Sequence, residues 1–152
     1  MKRQLLIVLA AIVVLFAGGA ISISAVAQEG AKVADADTFR QFGEKPGLVR
    51  IMDDFMVNLL ADPRTRPFFV DADQARIKVQ LVDQFCQILG GPCEYRGARM
   101  KPMHANLGID REQFNALVEQ LQFAMDKNKV PFRAQNKLLA VLAPMHRDIV
   151  TK

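Results

Sequence analysis

The sequence predicts an all-α domain behind a short apolar leader. Three observations carry this reading. Apolar residues from Leu48 to Ile149 recur at spacings of three and four, the period of a helix with one buried face. Each run is bounded by proline, glycine or a capping aspartate. No stretch alternates convincingly between apolar and polar residues, so essentially no sheet is expected.

The leader comes first. Lys2 and Arg3 precede an uncharged stretch from Gln4 to Gln28, whose apolar heart is Leu5 to Phe16. Ala25-Val26-Ala27 then offers a small-x-small cleavage site before Gln28-Glu29. That is the order of a bacterial export signal. An uncleaved anchor is the alternative, since about 20 apolar residues can span a bilayer. Gly18, Gly19, Ser22 and Ser24 weaken such a span, and the cleavage site favours removal. The expected organisation is a signal peptide or membrane anchor over 1–27, a polar Ala-rich linker over 28–37 and one domain over 38–152. That domain is expected to be periplasmic, or membrane-anchored and facing the periplasm.

The first strong helix is expected from about Pro46 to Leu60, with Leu48, Ile51, Met52, Phe55, Met56, Leu59 and Leu60 as its buried stripe. Pro46 suits a first helical turn, and Asp62-Pro63 stops the helix. A corner ending in Pro67-Phe68-Phe69 follows, and Asp71 and Asp73 can cap what comes next. The second helix, about Gln74 to Leu89, has two apolar stripes. Ile77, Leu81, Phe85 and Ile88 form one; Val79, Val82, Cys86 and Leu89 form the other. Such a helix packs between layers, or between a layer and a ligand. Gly90-Gly91-Pro92 ends it, with glycine suited to a left-handed cap. A loop through Tyr95 and Gly97 leads to a short segment around His104. Asp110-Arg111-Glu112-Gln113 resembles a capping box and opens a helix carrying Phe114, Leu117, Val118, Leu121, Ala124 and Met125. The last helix starts near Pro131 and carries Leu138, Leu139, Val141, Leu142, Met145 and Ile149; Pro144 should kink it or loosen its end.

Composition narrows the function. The formal charge of +4 halves if the leader, with Lys2 and Arg3, is removed, so the basic balance says little. No Lys/Arg run alternates with aromatics, and nucleic-acid binding has no support. Cys86 and Cys93 straddle a helix end; a disulfide and a pair of reduced, partly buried thiols are both open. Cys-x-x-Cys-His is absent, which excludes c-type haem attachment, and the cysteine and histidine spacing matches no zinc finger or ribbon. His104 lies among methionines and aliphatics, in Met100-Lys101-Pro102-Met103-His104. Alone, such a histidine reads as core or as a ligand.

From about Phe39 to Val150 the chain resembles a bacterial truncated haemoglobin of the first group. The resemblance rests on Asp53-Asp54-Phe55, Leu60-Ala61-Asp62-Pro63, Pro67-Phe68-Phe69 and Gln84-Phe85 running into Leu89-Gly90-Gly91-Pro92. It continues through Tyr95-x-Gly97-x-x-Met100, His104, Leu107-Gly108-Ile109, Phe114 and Leu142-Ala143-Pro144. Their order and spacing are specific together, not singly. Gly43-Glu44-Lys45 departs from the pattern, standing where a Gly-Gly turn is usual.

The resemblance implies a two-over-two helical sandwich around haem b, with His104 as the proximal iron ligand. A neutral imidazole holds iron and leaves the opposite axial position free. Met100, Met103 and Leu107 would line the proximal side. Phe69 would pack on the haem face, and Phe55, Phe85, Phe114 and Leu117 would fall at other apolar wall positions. On the distal side the chain departs again. Met56 stands where a tyrosine is usual, and Ile77 and Leu81 stand where a polar group is frequent. Gln80 and Gln84 are the nearest polar candidates. Met56 either fills the space of the missing ring or offers its thioether to the iron. His146 falls near a position that some cyanobacterial relatives link to a haem vinyl; an exposed terminal histidine is the competing reading. The function implied is binding of O2, NO or CO in an apolar pocket, without a catalytic residue set. A redox or peroxide-handling haem protein with a redox partner is one alternative, and a haem-free globin-like interaction domain is another.

Overall fold

A computed structural model of the chain describes residues 36–152, so the leader and most of the linker lie outside the described residues. The described body contains helices and no strand. Helix α1 (Ala36–Gln41) begins inside the expected linker. The chain turns after buried Phe42 through Gly43, with φ 74, and Glu44, with φ 55. Glycine takes a positive φ freely, whereas a residue with a Cβ pays about 1–2 kcal/mol there. The departure at Gly43-Glu44 therefore keeps the turn and places its strain on Glu44.

Helix α2 (Glu44–Ala61) is central and packs on both α3 and α5. Of the expected stripe, Leu48, Ile51, Met52, Phe55, Met56 and Leu59 are buried, and Leu60, at the last turn, is half-buried. The helix ends at Asp62, whose extended backbone (φ −84, ψ 120) is what a following proline requires. Buried Thr65 secures the corner by donating its hydroxyl to the Leu59 carbonyl at 2.8 Å. A 3-10 turn over Arg66–Phe68 follows.

Helix α3 (Gln74–Ile88) starts at Asp73, whose carboxylate accepts from the Arg76 N–H at 3.0 Å. Its end is a left-handed cap. Gly90, with φ 83, donates to the Gln87 carbonyl, and Gly91 donates to that of Cys86 at 2.8 Å. One expectation is corrected here. Val79, first of the second apolar stripe, is 57% exposed. It stands with Val49 in a cleft flanked by the Lys45–Asp83 and Lys78–Asp53 ion pairs, at the edge of the α2–α3 seam. The stripe reaches the interior only from Val82 onward.

Beyond Gly91 the loop is tied back to α3. Cys86 and Cys93 form a disulfide, with Cα atoms 5.7 Å apart, which resolves the alternative left open by sequence. The Tyr95 N–H donates to Gln87 Oε1 at 2.5 Å. Helix α4 (Met100–His104) follows, then α5 (Arg111–Lys127). The capping box is complete, since Asp110 Oδ1 accepts from the Gln113 N–H at 2.8 Å and Gln113 Oε1 from the Asp110 N–H at 3.0 Å. Helix α6 (Phe132–Leu142) packs on α1 and α5. Pro144 sits in a 3-10 turn over Ala143–Met145, and the chain restarts as α7 (His146–Ile149). Helix α4 packs on α7, and the Thr151 N–H donates to the Ile109 carbonyl at 2.9 Å.

The core lies where α2, α3, α5 and α6 meet, with Leu48, Leu59, Leu89, Leu121, Met125 and Leu138 at 2% exposure or less. Each such leucine contributes about 1.5–3 kcal/mol relative to exposure. Ion pairs at the rim set the helix register. Asp53 and Asp83 join α2 and α3 through Lys78 and Lys45, and Asp54 joins α2 to the end of α5 through Lys127 and Asn128. Such surface pairs contribute little individually.

Candidate functional site

The two walls of the site come from different parts of the chain. One is α4 seated on α7; the other is α3, buttressed by α2. On the first wall, His104 is half-buried, and its Nδ1 lies 2.7 Å from the Met100 carbonyl one turn earlier. A carbonyl only accepts, so Nδ1 carries the proton and Nε2 presents its lone pair. The acceptor that a ligating histidine needs is thus supplied by α4 itself. Met103 and Leu107, next to and three residues beyond His104 in sequence, are 56% and 46% exposed. They are apolar surface that a flat macrocycle on Nε2 would cover.

On the other wall, Ile77, Gln80, Leu81 and Gln84 share one side of α3, being three, four and seven residues apart. Ile77 and Leu81 are half-buried, and Phe85 is buried in the core. Gln84 is buried and aims its Nε2 at Met145 Sδ, 4.0 Å away in the turn before α7. This contact sets Gln84's side of α3 against the turn that leads into α7, on which α4 sits. Gln80 Oε1 is shut off from solvent and has no hydrogen-bond partner.

The remaining expected residues are distributed around these walls. Phe69 is half-buried at the end of the corner before α3, and Leu117 is half-buried on α5; both pack against the core. Phe55 and Met56 are buried on α2, Phe55 inside the core cluster. His146 is half-buried and packs edge-on against Phe114, with ring centroids 5.0 Å apart and planes at 88°.

The donor set suits an iron that arrives in a macrocycle. Among the described residues no three His, Cys, Asp or Glu side chains gather to hold a bare ion. A haem iron would need only one imidazole from the protein, which His104 could provide. One buried orphan acceptor, one carbonyl-held histidine and apolar side chains on both walls fit such a group.

Sequence reasoning missed Asp62 as more than a helix stop. Its carboxylate accepts from the Arg64 N–H at 2.8 Å, from Arg64 Nη2 at 2.6 Å and from Gln120 Nε2 at 2.8 Å. Arg64 Nη2 also donates to Glu119 at 2.6 Å. These hydrogen bonds, with Arg64 foremost, hold the Asp62 carboxyl down at about 2. The cluster ties the end of α2 to α5. A polar cleft beside it, lined by Arg111, Asn115 and Gln122 among others, includes none of the expected site residues.

A helical body in this order, with one carbonyl-held histidine on the short helix that follows α3, has the construction of a globin. Residues 37–151 match the bacterial-like globins, and the chain belongs to that family. It is 31% identical over 120 residues to the Group 1 truncated hemoglobin GlbN of Mycolicibacterium paratuberculosis, covering 79% of this chain and 88% of that one. A Group 1 truncated hemoglobin of Tetrahymena pyriformis is 28% identical over 98 residues, covering 64% and 81%. Among solved structures, the truncated hemoglobin of Tetrahymena pyriformis in its Fe(III) form superposes with a TM-score of 0.72 at 24% identity, covering 76% of this chain and 98% of that one. The 2/2 hemoglobin from Synechococcus sp., solved in the cyanomet state with covalently attached heme, gives 0.69 at 21% identity over 76% and 98%. At these identities the two structures speak for the two-over-two fold.

Proposed function

We propose that this chain is a haem-binding truncated globin that holds the iron of a b-type haem through His104 Nε2 and binds a diatomic gas, O2, NO or CO, outside the cytoplasm. The observation that carries the reading is the 2.7 Å contact from His104 Nδ1 to the Met100 carbonyl, which fixes the tautomer a ligand needs. Family membership supports haem and gas binding in general. The leader, read as an export signal, supports the location.

A bound haem would supply an iron that His104 could hold and that could take up a small ligand. The chain's own part is to hold and enclose it. Met100, Met103 and Leu107 surround the histidine; Phe69, Leu81, Phe85 and Leu117 provide apolar walls; Phe55, Met56 and Ile77 close the far side. Met56, Ile77 and Leu81 donate no hydrogen bond. A missing donor costs a polar ligand on the order of 1–3 kcal/mol. The pocket therefore suits CO and NO better than retention of O2.

Optical spectra of the reconstituted protein test this. A Soret band that shifts on reduction and again with CO is expected. His104→Gly should lose that coordination, and added imidazole should restore it. A variant spectrum identical to wild type would remove His104 from the iron.

A further inference from the structure

The corner between α5 and α6 carries an apolar tip among unpaired cations. Phe132, the first residue of α6, is 69% exposed, and Phe123, one turn before the end of α5, is 53% exposed. No other large apolar side chain among the described residues is as open as Phe132. Lys129 and Arg133 flank it in sequence and are exposed, and among the described residues neither side chain has an ion-pair or hydrogen-bond partner. The acids nearby are engaged: Asp126 accepts from Gln135 Nε2 at 2.7 Å, and Asp54 accepts from Lys127 and Asn128. Lys129 is held at φ 58, where glycine would sit without strain. A strained, exposed and unpaired lysine argues that its charge has a use.

The leader side of the chain joins the domain near this tip. Helix α5 runs antiparallel to α2, since Asp62 meets Gln120 and Asp54 meets Lys127, so the tip lies toward the end of α2 that α1 enters. Helix α1 packs on α6, and Lys137 Nζ donates to Thr38 Oγ1 at 3.4 Å, about 7.5 Å along the helix axis from Phe132. The residues ahead of Ala36, with the apolar stretch from Leu5 to Phe16, therefore enter the domain beside the helix that carries the tip.

We propose that this corner docks on an anionic bilayer surface, with Phe132 seated among the headgroups and Lys129 and Arg133 on lipid phosphates. An exposed aromatic among cations is the composition of an interfacial contact, and anionic lipid attracts Lys and Arg held close to it. A bilayer asks for no matching pocket, so a tip of three consecutive exposed residues, Pro131, Phe132 and Arg133, suffices. The surface is separate from the haem reading and stands whether or not haem is bound. The leader would bring the domain to a membrane; the corner decides which side of the domain meets it.

The chain has no tryptophan, so Phe132→Trp places a single indole at the tip. Val70→Trp is the control, 38% exposed in the corner beyond the other end of α2. Each full-length variant is mixed with vesicles of phosphatidylcholine alone, or of phosphatidylcholine with phosphatidylglycerol, so that whatever the leader contributes is common to both reporters. With phosphatidylglycerol present, the indole at 132 should shift its emission to the blue and lose access to acrylamide, while the indole at 70 keeps its spectrum. Adding Lys129→Glu and Arg133→Glu should abolish the shift at 132. No response at 132 with either vesicle would overturn the proposal. The same response at both positions would overturn it in favour of unoriented adsorption. An equal response to phosphatidylcholine alone, or one that survives charge reversal, would overturn it in favour of apolar contact without charge recognition. A blue shift without vesicles that grows with protein concentration would assign the tip to a second copy of this chain instead. Far-UV circular dichroism separates loss of docking from loss of fold, and Lys129→Gln with Arg133→Gln removes the charges without reversing them.

Discussion

A methyl group at position 47 would run into the carbonyl oxygen of Phe42, so Gly47 is held by its lack of a side chain. Position 47 lies inside α2, where glycine otherwise weakens a helix by about 1 kcal/mol relative to alanine. The close approach of α1's exit reverses that preference. Gly47→Ala should destabilise the domain by about 2–4 kcal/mol in urea denaturation, since the obstacle is backbone and cannot swing aside. A loss under about 0.5 kcal/mol would sink the idea. His104 was legible at this scale because its neighbours keep a fixed spacing over a long stretch of chain. Asp62 was not. Gln120 and Glu119, two of its network, come from α5, far along the sequence, and no local pattern marks the pair. The acceptor for His104 was hidden as well, because any carbonyl of the preceding turn would satisfy the same residues.

At the level of elements, the periodic runs located α2, α3, α5 and α6, capping chemistry located the starts of α3 and α5, and α2 begins at Glu44, ahead of the expected Pro46. Asp73 and Asp110 cap where expected, and Gly90 closes α3. Helix ends without glycine were harder to see. Helix α5 also ends in a left-handed cap, with Val130 donating to the Met125 carbonyl at 3.0 Å and Lys129 to that of Asp126 at 2.9 Å. The residue in the left-handed position is Lys129, with φ 58, so sequence gave no glycine to mark it. Lys129 is exposed, and its Cβ strain is unrelieved. Lys129→Gly should therefore stabilise the domain by about 0.5–1 kcal/mol, read as a higher denaturation midpoint at unchanged slope. A lower midpoint would mean that the strain is offset by contacts of the lysine stem. Val79 went the other way. Its periodicity was right, but the seam between α2 and α3 closes only beyond it, and periodicity carries no information about where a neighbour ends.

For the whole molecule, the joint between α2 and α5 sets an acid limit. Folding lowers the Asp62 pKa from 3.8 to about 2, so the folded state favours the carboxylate more than the unfolded chain does. That contribution is complete above the unfolded value and is lost as pH falls through about 4 toward about 2. Stability measured by urea midpoint should drop across this window, and Asp62→Asn should flatten that part of the profile. An unchanged slope in the variant would assign the acid limb to other carboxylates, of which Asp54, held down by Lys127, is the next. The fold class was legible as a whole because the periods, caps and turns from Leu48 onward mostly pointed to one architecture, although α1 gave no periodic signal. The polarity of the site was not, since Gln80 and Gln84 could equally have faced solvent by helical phase.

The Cys86–Cys93 bond acts as a leash. Backbone alone would let Met100 swing on the whole stretch of chain that follows Cys86. With the sulfurs joined, only the stretch after Cys93 is free, which roughly halves the contour length at about 3.5 Å per residue. The wall bearing His104 is thereby kept on a tether to α3 about half as long. A shorter tether leaves that wall fewer arrangements to sample, so the bond lowers the entropy lost when a guest orders it, while taking no part in contacting the guest.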